Sequence, residues 1–220
     1  MLTELKMTFS DDFLELFHNH KYEEYVLEIM NTSAVIFKGS YMRMSDQSRG
    51  QCDFIDIETM EKYDAKIPFE NKSMKLLATN DNQEEIFQEW VRRVLEMENE
   101  YDPIAIKNGT LCIEQTKLYS VMKRLICKDK ADENIIFFIP VQFVPVIKES
   151  VFAQFVPDFL RDIYECLESD GILDGRQIYA IYPSGERDDF VLRDLSSYTT
   201  EYVKCQRLGR YFNYEYVGGG

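Results

Sequence analysis

Cys52-Asp53-Phe54-Ile55-Asp56-Ile57-Glu58-Thr59-Met60-Glu61-Lys62-Tyr63-Asp64-Ala65-Lys66-Ile67-Pro68-Phe69 is the stretch whose reading decides the fold. Two short runs with strand-like alternation flank a polar break at Glu58-Thr59, and this pattern predicts a β-hairpin. Side chains alternate across a strand, so Asp64 and Lys66 share one face while Tyr63, Ala65 and Ile67 take the other and pack inward. The acidic residues admit two readings. Asp53, Asp56, Asp64 and Lys66 form the solvated side of an antiparallel hairpin, where cross-strand charge pairs contribute ~0.2–1 kcal/mol. Alternatively, an Asp on one strand faces an Asp and a Lys on its partner, and the three make a divalent-metal site for phosphodiester hydrolysis.

Upstream, Ser10-Asp11-Asp12 caps a first helix expected to run to about Met30, with Phe13, Leu14, Leu16, Phe17, Tyr25, Val26 and Ile29 at helical spacing. Ala34–Lys38 reads as a strand and 45–50 as a polar loop. Downstream, Asn80-Asp81-Asn82 caps an amphipathic helix over 83–98 whose apolar face carries Ile86, Phe87, Trp90, Val91 and Val94. A short strand at 111–113 leads to a helix near 115–128, then a buried strand over 134–147 interrupted by Pro140 and Pro145. A helix over 152–167 ends at Asp170-Gly171. Residues 177–182 and 189–193 form a second hairpin, and the alternating aromatics of 210–216 a closing strand. The expected fold class is α+β (mixed α/β), a central mixed sheet with flanking helices. Residues 1–217 are expected to form a single globular domain, with the Gly218-Gly219-Gly220 tail set apart.

The chain has 220 residues, is 45% hydrophobic and 14% aromatic, and carries a net charge of −14. This is globular composition, and its charge repels nucleic acid at long range unless local cations or a metal intervene. Five widely spaced cysteines form no C-x-x-C pair. They read as reduced thiols, and with no secretory signal legible the expected location is cytoplasmic. His18 and His20 are the only histidines. At i,i+2 on a helix they point to different sides, which disfavours a shared metal. No P-loop or G-x-G-x-x-G motif occurs.

The order helix, strand, hairpin with Asp and Asp-x-Lys, helix, strand resembles the core of the PD-(D/E)xK nuclease superfamily. The resemblance covers the first half to two-thirds of the chain, with Cys52 where the first motif has proline. It implies a restriction-endonuclease-like core and metal-dependent cleavage. Asp53 and Asp64 would hold Mg²⁺, Lys66 would orient and help deprotonate the attacking water, and Glu24 or Glu28 would add the first-helix acid. Gln115 and Tyr119 reproduce the Gln-x-x-x-Tyr of the RecB-like branch.

Lys117, Lys123, Arg124 and Lys128, with Lys130, form the most basic segment and are candidate phosphate contacts. Their structural alternative is a solvated face with cations near a helix carboxyl end. Tyr211, Phe212, Tyr214 and Tyr216 read either as a base-stacking patch or as core. Two functions follow. One is a metal-dependent nuclease or nuclease-like subunit, of the kind found in a bacterial restriction or phage-defence system, with nucleic acid as partner. The other is a non-catalytic acidic protein that binds a basic partner: an accessory subunit, an immunity protein or a nucleic-acid-mimicking inhibitor. The acidic reading asks for a continuous outer surface including Glu84, Glu85, Glu89, Glu96, Glu98 and Asp102. No membrane role is expected.

Overall fold

The computed structural model describes residues 4–10, 12–44, 52–68, 114, 117–128, 132–140, 156–185 and 188–217. The expected helix with Trp90 and the strand at 111–113 lie outside these residues, as do Gln115, most of the proposed acidic surface, and the far part of the 134–147 strand.

Element order is β1 (Glu4–Phe9), a 3-10 helix (Phe13–His20), α1 (Tyr22–Thr32), β2 (Tyr41–Arg43), β3 (Phe54–Asp56), β4 (Lys62–Lys66), α2 (Lys117–Ile126) and β5 (Glu133–Phe138). There follow α3 (Val156–Ser169), β6 (Ile178–Pro183), β7 (Asp189–Asp194), β8 (Thr200–Lys204), α4 (Gln206–Gly209) and β9 (Phe212–Val217). β2 to β8 form one seven-stranded sheet in sequence order, and β1 pairs separately with β9. The protein is therefore α+β with a mixed sheet. β4, β5 and β6 are mutually parallel, and the outer pairs β2–β3, β3–β4, β6–β7 and β7–β8 are antiparallel.

The parallel centre follows from its residues. Ile135 to Ile139 and Ile178 to Ile181 are buried without interruption, as expected of strands covered on both faces and linked by helical crossovers. α3 ends as its Asp-Gly predicts. Gly171 has φ 68, its N–H donates to Glu168 O (2.9 Å), and the Ile172 N–H donates to Leu167 O (3.0 Å). This is the glycine-terminated helix end in which orphan carbonyls regain partners.

Two expectations of the amino-terminal third are corrected. The first helix is not continuous, because His20 adopts φ 56 and separates the 3-10 segment from α1. Residues 34–38 are not a strand. Glu201 of β8 gathers their backbone instead, accepting from the N–H groups of Ala34 (2.7 Å), Val35 (3.2 Å) and Ile36 (3.1 Å) and from Ser33 Oγ (2.6 Å). Donors aimed at one carboxylate bend the chain and are lost to any ladder. The first-hairpin side of the sheet then begins at β2, where the Asn31 side chain brackets the Tyr41 backbone (Asn31 Nδ2 to Tyr41 O, 3.1 Å; Tyr41 N to Asn31 Oδ1, 2.9 Å).

Although burial alone raises it, the Glu201 pKa is lowered on balance by these donors. A depressed carboxyl stabilises the fold above its unfolded pKa, and that contribution is lost as pH falls through the folded value. Glu201→Ala is expected to cost about 2–3 kcal/mol at pH 7, from lost charge-assisted bonds and newly unpaired N–H groups. The deficit should shrink below pH 4 in urea titrations. A cost under about 0.5 kcal/mol would show that water replaces the carboxylate.

Candidate functional site

The first hairpin forms over the expected residues. Phe54 pairs with Tyr63 and Ile55 with Lys62. Tyr63, Ala65 and Ile67 are buried, and the Tyr22 hydroxyl of α1 donates to Ala65 O at 3.2 Å. The turn is held by Asp56, whose Oδ1 accepts from the N–H of Glu58 (2.8 Å) and of Thr59 (3.4 Å). The other carboxylate oxygen of Asp56 fills the space at Gly39, where a Cβ would stand 2.2 Å from it. Gly39→Ala therefore forces this turn apart.

Continuing the hairpin register by one residue sets Asp53, immediately before β3, opposite Asp64. The two carboxyls hydrogen-bond to each other. Asp53 Oδ2 also accepts from the Ala65 N–H at 2.9 Å, which fixes the orientation of its carboxyl. Lys66 Nζ makes an ion pair with Asp64. The structure thus brings together the three residues Asp53, Asp64 and Lys66. Asp64 is 7% exposed and Asp56 4%, so neither belongs to a solvated hairpin face. Burial of both carboxylates rules out that simpler reading for Asp56 and Asp64.

Burial first, then the hydrogen bond and charge of Asp53, raise the Asp64 pKa to about 7 against the lowering effect of Lys66. Asp53 is also raised, first by burial and then by the charge of Glu23, against the lowering effect of its bond to Asp64. Two carboxyls this close in low dielectric cannot both ionise without a cation. Near neutral pH the pair keeps a proton.

The helix carboxylate beside the pair is Glu23. It is 3% exposed, binds Arg43 Nη2 of β2 at 2.6 Å and lies 3.3 Å from His20 Nδ1. The resemblance had placed Glu24 or Glu28 here. Glu28 instead accepts from Arg207 (3.1 Å) and Cys205 Sγ (3.4 Å), and Glu24 faces Arg207 at 3.8 Å. Glu24 and Glu28 thus engage Arg207 in this structure. Glu23, Arg43 and His20 were not legible as a unit, because the sheet register brings Arg43 across 20 residues of chain.

The donor chemistry suits a hard divalent ion. Mg²⁺ keeps several waters and binds through one or two carboxylates, which Asp53 and Asp64 would provide. Among the described residues no group of three or more His, Cys, Asp or Glu side chains is arranged to hold a metal.

The basic segment has structural partners. Lys123 pairs with Asp170 at 2.7 Å, and the Tyr119 hydroxyl donates to the same carboxylate at 2.6 Å, tying α2 to the end of α3. Arg124 Nε and Nη2 are buried without a hydrogen-bond partner, and Lys128 is exposed just beyond the helix. In the closing strand Tyr211 and Phe212 are 0% and 3% exposed, and the Tyr211 hydroxyl meets Tyr25 at 3.3 Å and Arg210 Nη2 at 2.5 Å. They are core residues and cannot stack on bases. No described helix is long and apolar enough to cross a membrane. Compared with known proteins, the chain matches no protein-family model, no curated protein and no solved structure.

Proposed function

We propose that the chain is a Mg²⁺-dependent phosphodiesterase acting on nucleic acid, a nuclease or nuclease-like subunit of the kind found in bacterial restriction or phage defence. The observation that carries this reading is the buried Asp53–Asp64 carboxyl pair with Lys66 on Asp64. Such a pair destabilises a fold unless a proton or cation sits between its members, and perturbed carboxyls of this kind concentrate at functional sites. The resemblance of motif order to PD-(D/E)xK nucleases supports the same assignment.

Bound by Asp53 and Asp64, Mg²⁺ would polarise a phosphoryl oxygen and make a water acidic enough to attack. Asp53, anchored by the Ala65 N–H, holds its side of the ion in a fixed direction. Lys66 orients the attacking water and stabilises negative charge as it develops on the phosphate. At net charge −14, the protein also needs that cation to accept a polyanion.

The test is cleavage of plasmid and single-stranded DNA with Mg²⁺, Mn²⁺ or EDTA, alongside calorimetric metal binding. Metal-dependent nicking that Asp64→Ala abolishes is the expected result. The absence of both metal binding and cleavage would overturn the proposal. The reading to replace it would be the acidic interaction protein, supported by the net charge.

A further inference from the structure

We infer that His20, oriented by Glu23, meets the substrate phosphodiester through Nε2 and protonates the leaving oxygen. The inference rests on the nuclease reading above. Three observations carry it. His20 Nδ1 lies 3.3 Å from Glu23 Oε1, which leaves Nε2 to face outward, and the side chain is 65% exposed. Glu23 is itself fixed by Arg43 at 2.6 Å, so the ring is held by a buried carboxylate, as expected of an acid that needs a defined tautomer. His20 also closes the 3-10 helix at φ 56, a left-handed state that histidine adopts more readily than most residues and that sets the direction of its side chain.

The groups acting on the imidazole are Glu23, which favours its protonated form, and Arg43 and Lys66, which oppose it together with partial burial; the balance lies above the usual histidine value. The Tyr22 hydroxyl, two residues on from His20, donates to Ala65 O at 3.2 Å between Asp64 and Lys66, and Arg43 pairs with Phe54, next to Asp53, so His20 and Glu23 stand at the end of the hairpin that carries the carboxyl pair. Tyr22 adds a tilted ring contact at 6.1 Å.

In the step itself, the water oxygen bonds to phosphorus and the bond from phosphorus to the departing sugar oxygen breaks. That oxygen takes the Nε2 proton. The neutral imidazole regains a proton from solvent, matching the one the water released.

His20→Asn is the suitable variant because Asn tolerates the left-handed backbone, and its thermal melt checks that the fold persists. Two substrates separate the roles. A single-stranded oligodeoxynucleotide loses an alkoxide that needs a proton, whereas thymidine 5′-(p-nitrophenyl) phosphate loses a nitrophenolate that does not. The expected result is a loss of ~10²-fold or more on the oligonucleotide and of about fivefold at most on the nitrophenyl ester. With Mg²⁺ present, a slowly cleaved phosphorothioate analogue of the same oligonucleotide should shift the His20 imidazole NMR signals of the wild-type protein. Equal losses on both substrates, or unmoved His20 signals, would overturn the role of His20 and leave the nuclease reading standing. A wild-type protein inactive on both substrates overturns the two together.

Discussion

Asp64→Asn is expected to abolish metal-dependent cleavage while making the metal-free protein less sensitive to pH. The amide keeps the shape of the side chain and donates to Asp53, so the carboxyl–carboxyl contact survives without its charge problem. Catalysis suffers because one of two ligand carboxylates is gone. Outer-shell partners of metal ligands are already worth ~10–100-fold, so the loss should exceed ~10²-fold. The stability effect has a defined sign. In the wild type, burial and Asp53 raise the Asp64 pKa to about 7. A carboxyl raised on folding stabilises the native state fully below its unfolded pKa of about 3.9, and that stabilisation is lost as pH rises through 7. Wild-type protein in EDTA should therefore melt at lower temperature at pH 8 than at pH 5. The difference should be smaller in Asp64→Asn, and for the wild type Mg²⁺ should restore stability at pH 8. An equal pH dependence in both proteins would show that Asp64 is not the group that titrates.

Arg176→Met should cost about 3–5 kcal/mol, the range for removing one partner from a buried charged interaction. Arg176 is 8% exposed, and no acidic side chain among the described residues forms a salt bridge with it. Its guanidinium donates instead to three carbonyls: Leu173 O through Nε (2.9 Å), Ile126 O through Nη1 (2.9 Å) and Ile172 O through Nη2 (2.8 Å). Ile126 ends α2, and Ile172 follows the glycine-terminated end of α3. The cation thus meets an orphan carbonyl at the carboxyl end of α2, where the dipole is negative, and two carbonyls of the turn that follows α3. Methionine fills similar space but takes the guanidinium from the Ile126 and Ile172 carbonyls, while Leu173 O keeps the backbone N–H of residue 176 (2.9 Å). Urea unfolding should show a large drop in midpoint with little change in slope. A cost below about 1 kcal/mol would mean that water reaches these carbonyls.

Much of the sheet was legible because local patterns carry it. The 62–67 alternation, the 178–183 and 189–194 hairpin, and the Asp170-Gly171 helix stop each depend on neighbours in sequence. The strand Ala34–Lys38 was misread because its β-branched and aromatic residues satisfy strand propensity, while Glu201, distant in sequence, takes their N–H groups. β1, β2, β8 and α4 were not anticipated. β8 reads Thr-Glu-Tyr-Val-Lys with Tyr202 71% exposed, so it lacks the continuous apolar run of β5. The polar surface of Asp64 was likewise inferred from alternation, which counts faces but not what covers them.

By itself the sequence determined the hairpin, the identity of Asp53, Asp64 and Lys66 as residues of matching chemistry, and the apolar strands that had to lie centrally. These follow from the two-residue period of a strand and from the low cost of burying Ile and Phe. Only the tertiary structure decided that the two carboxyls are buried and bonded to each other, which is what raises the Asp64 pKa. It also decided that Glu23, rather than Glu24 or Glu28, lies beside them. The reason is the backbone reversal at His20: a positive φ there rotates α1 relative to the segment before it, and helical phase beyond such a break is set by packing against the sheet.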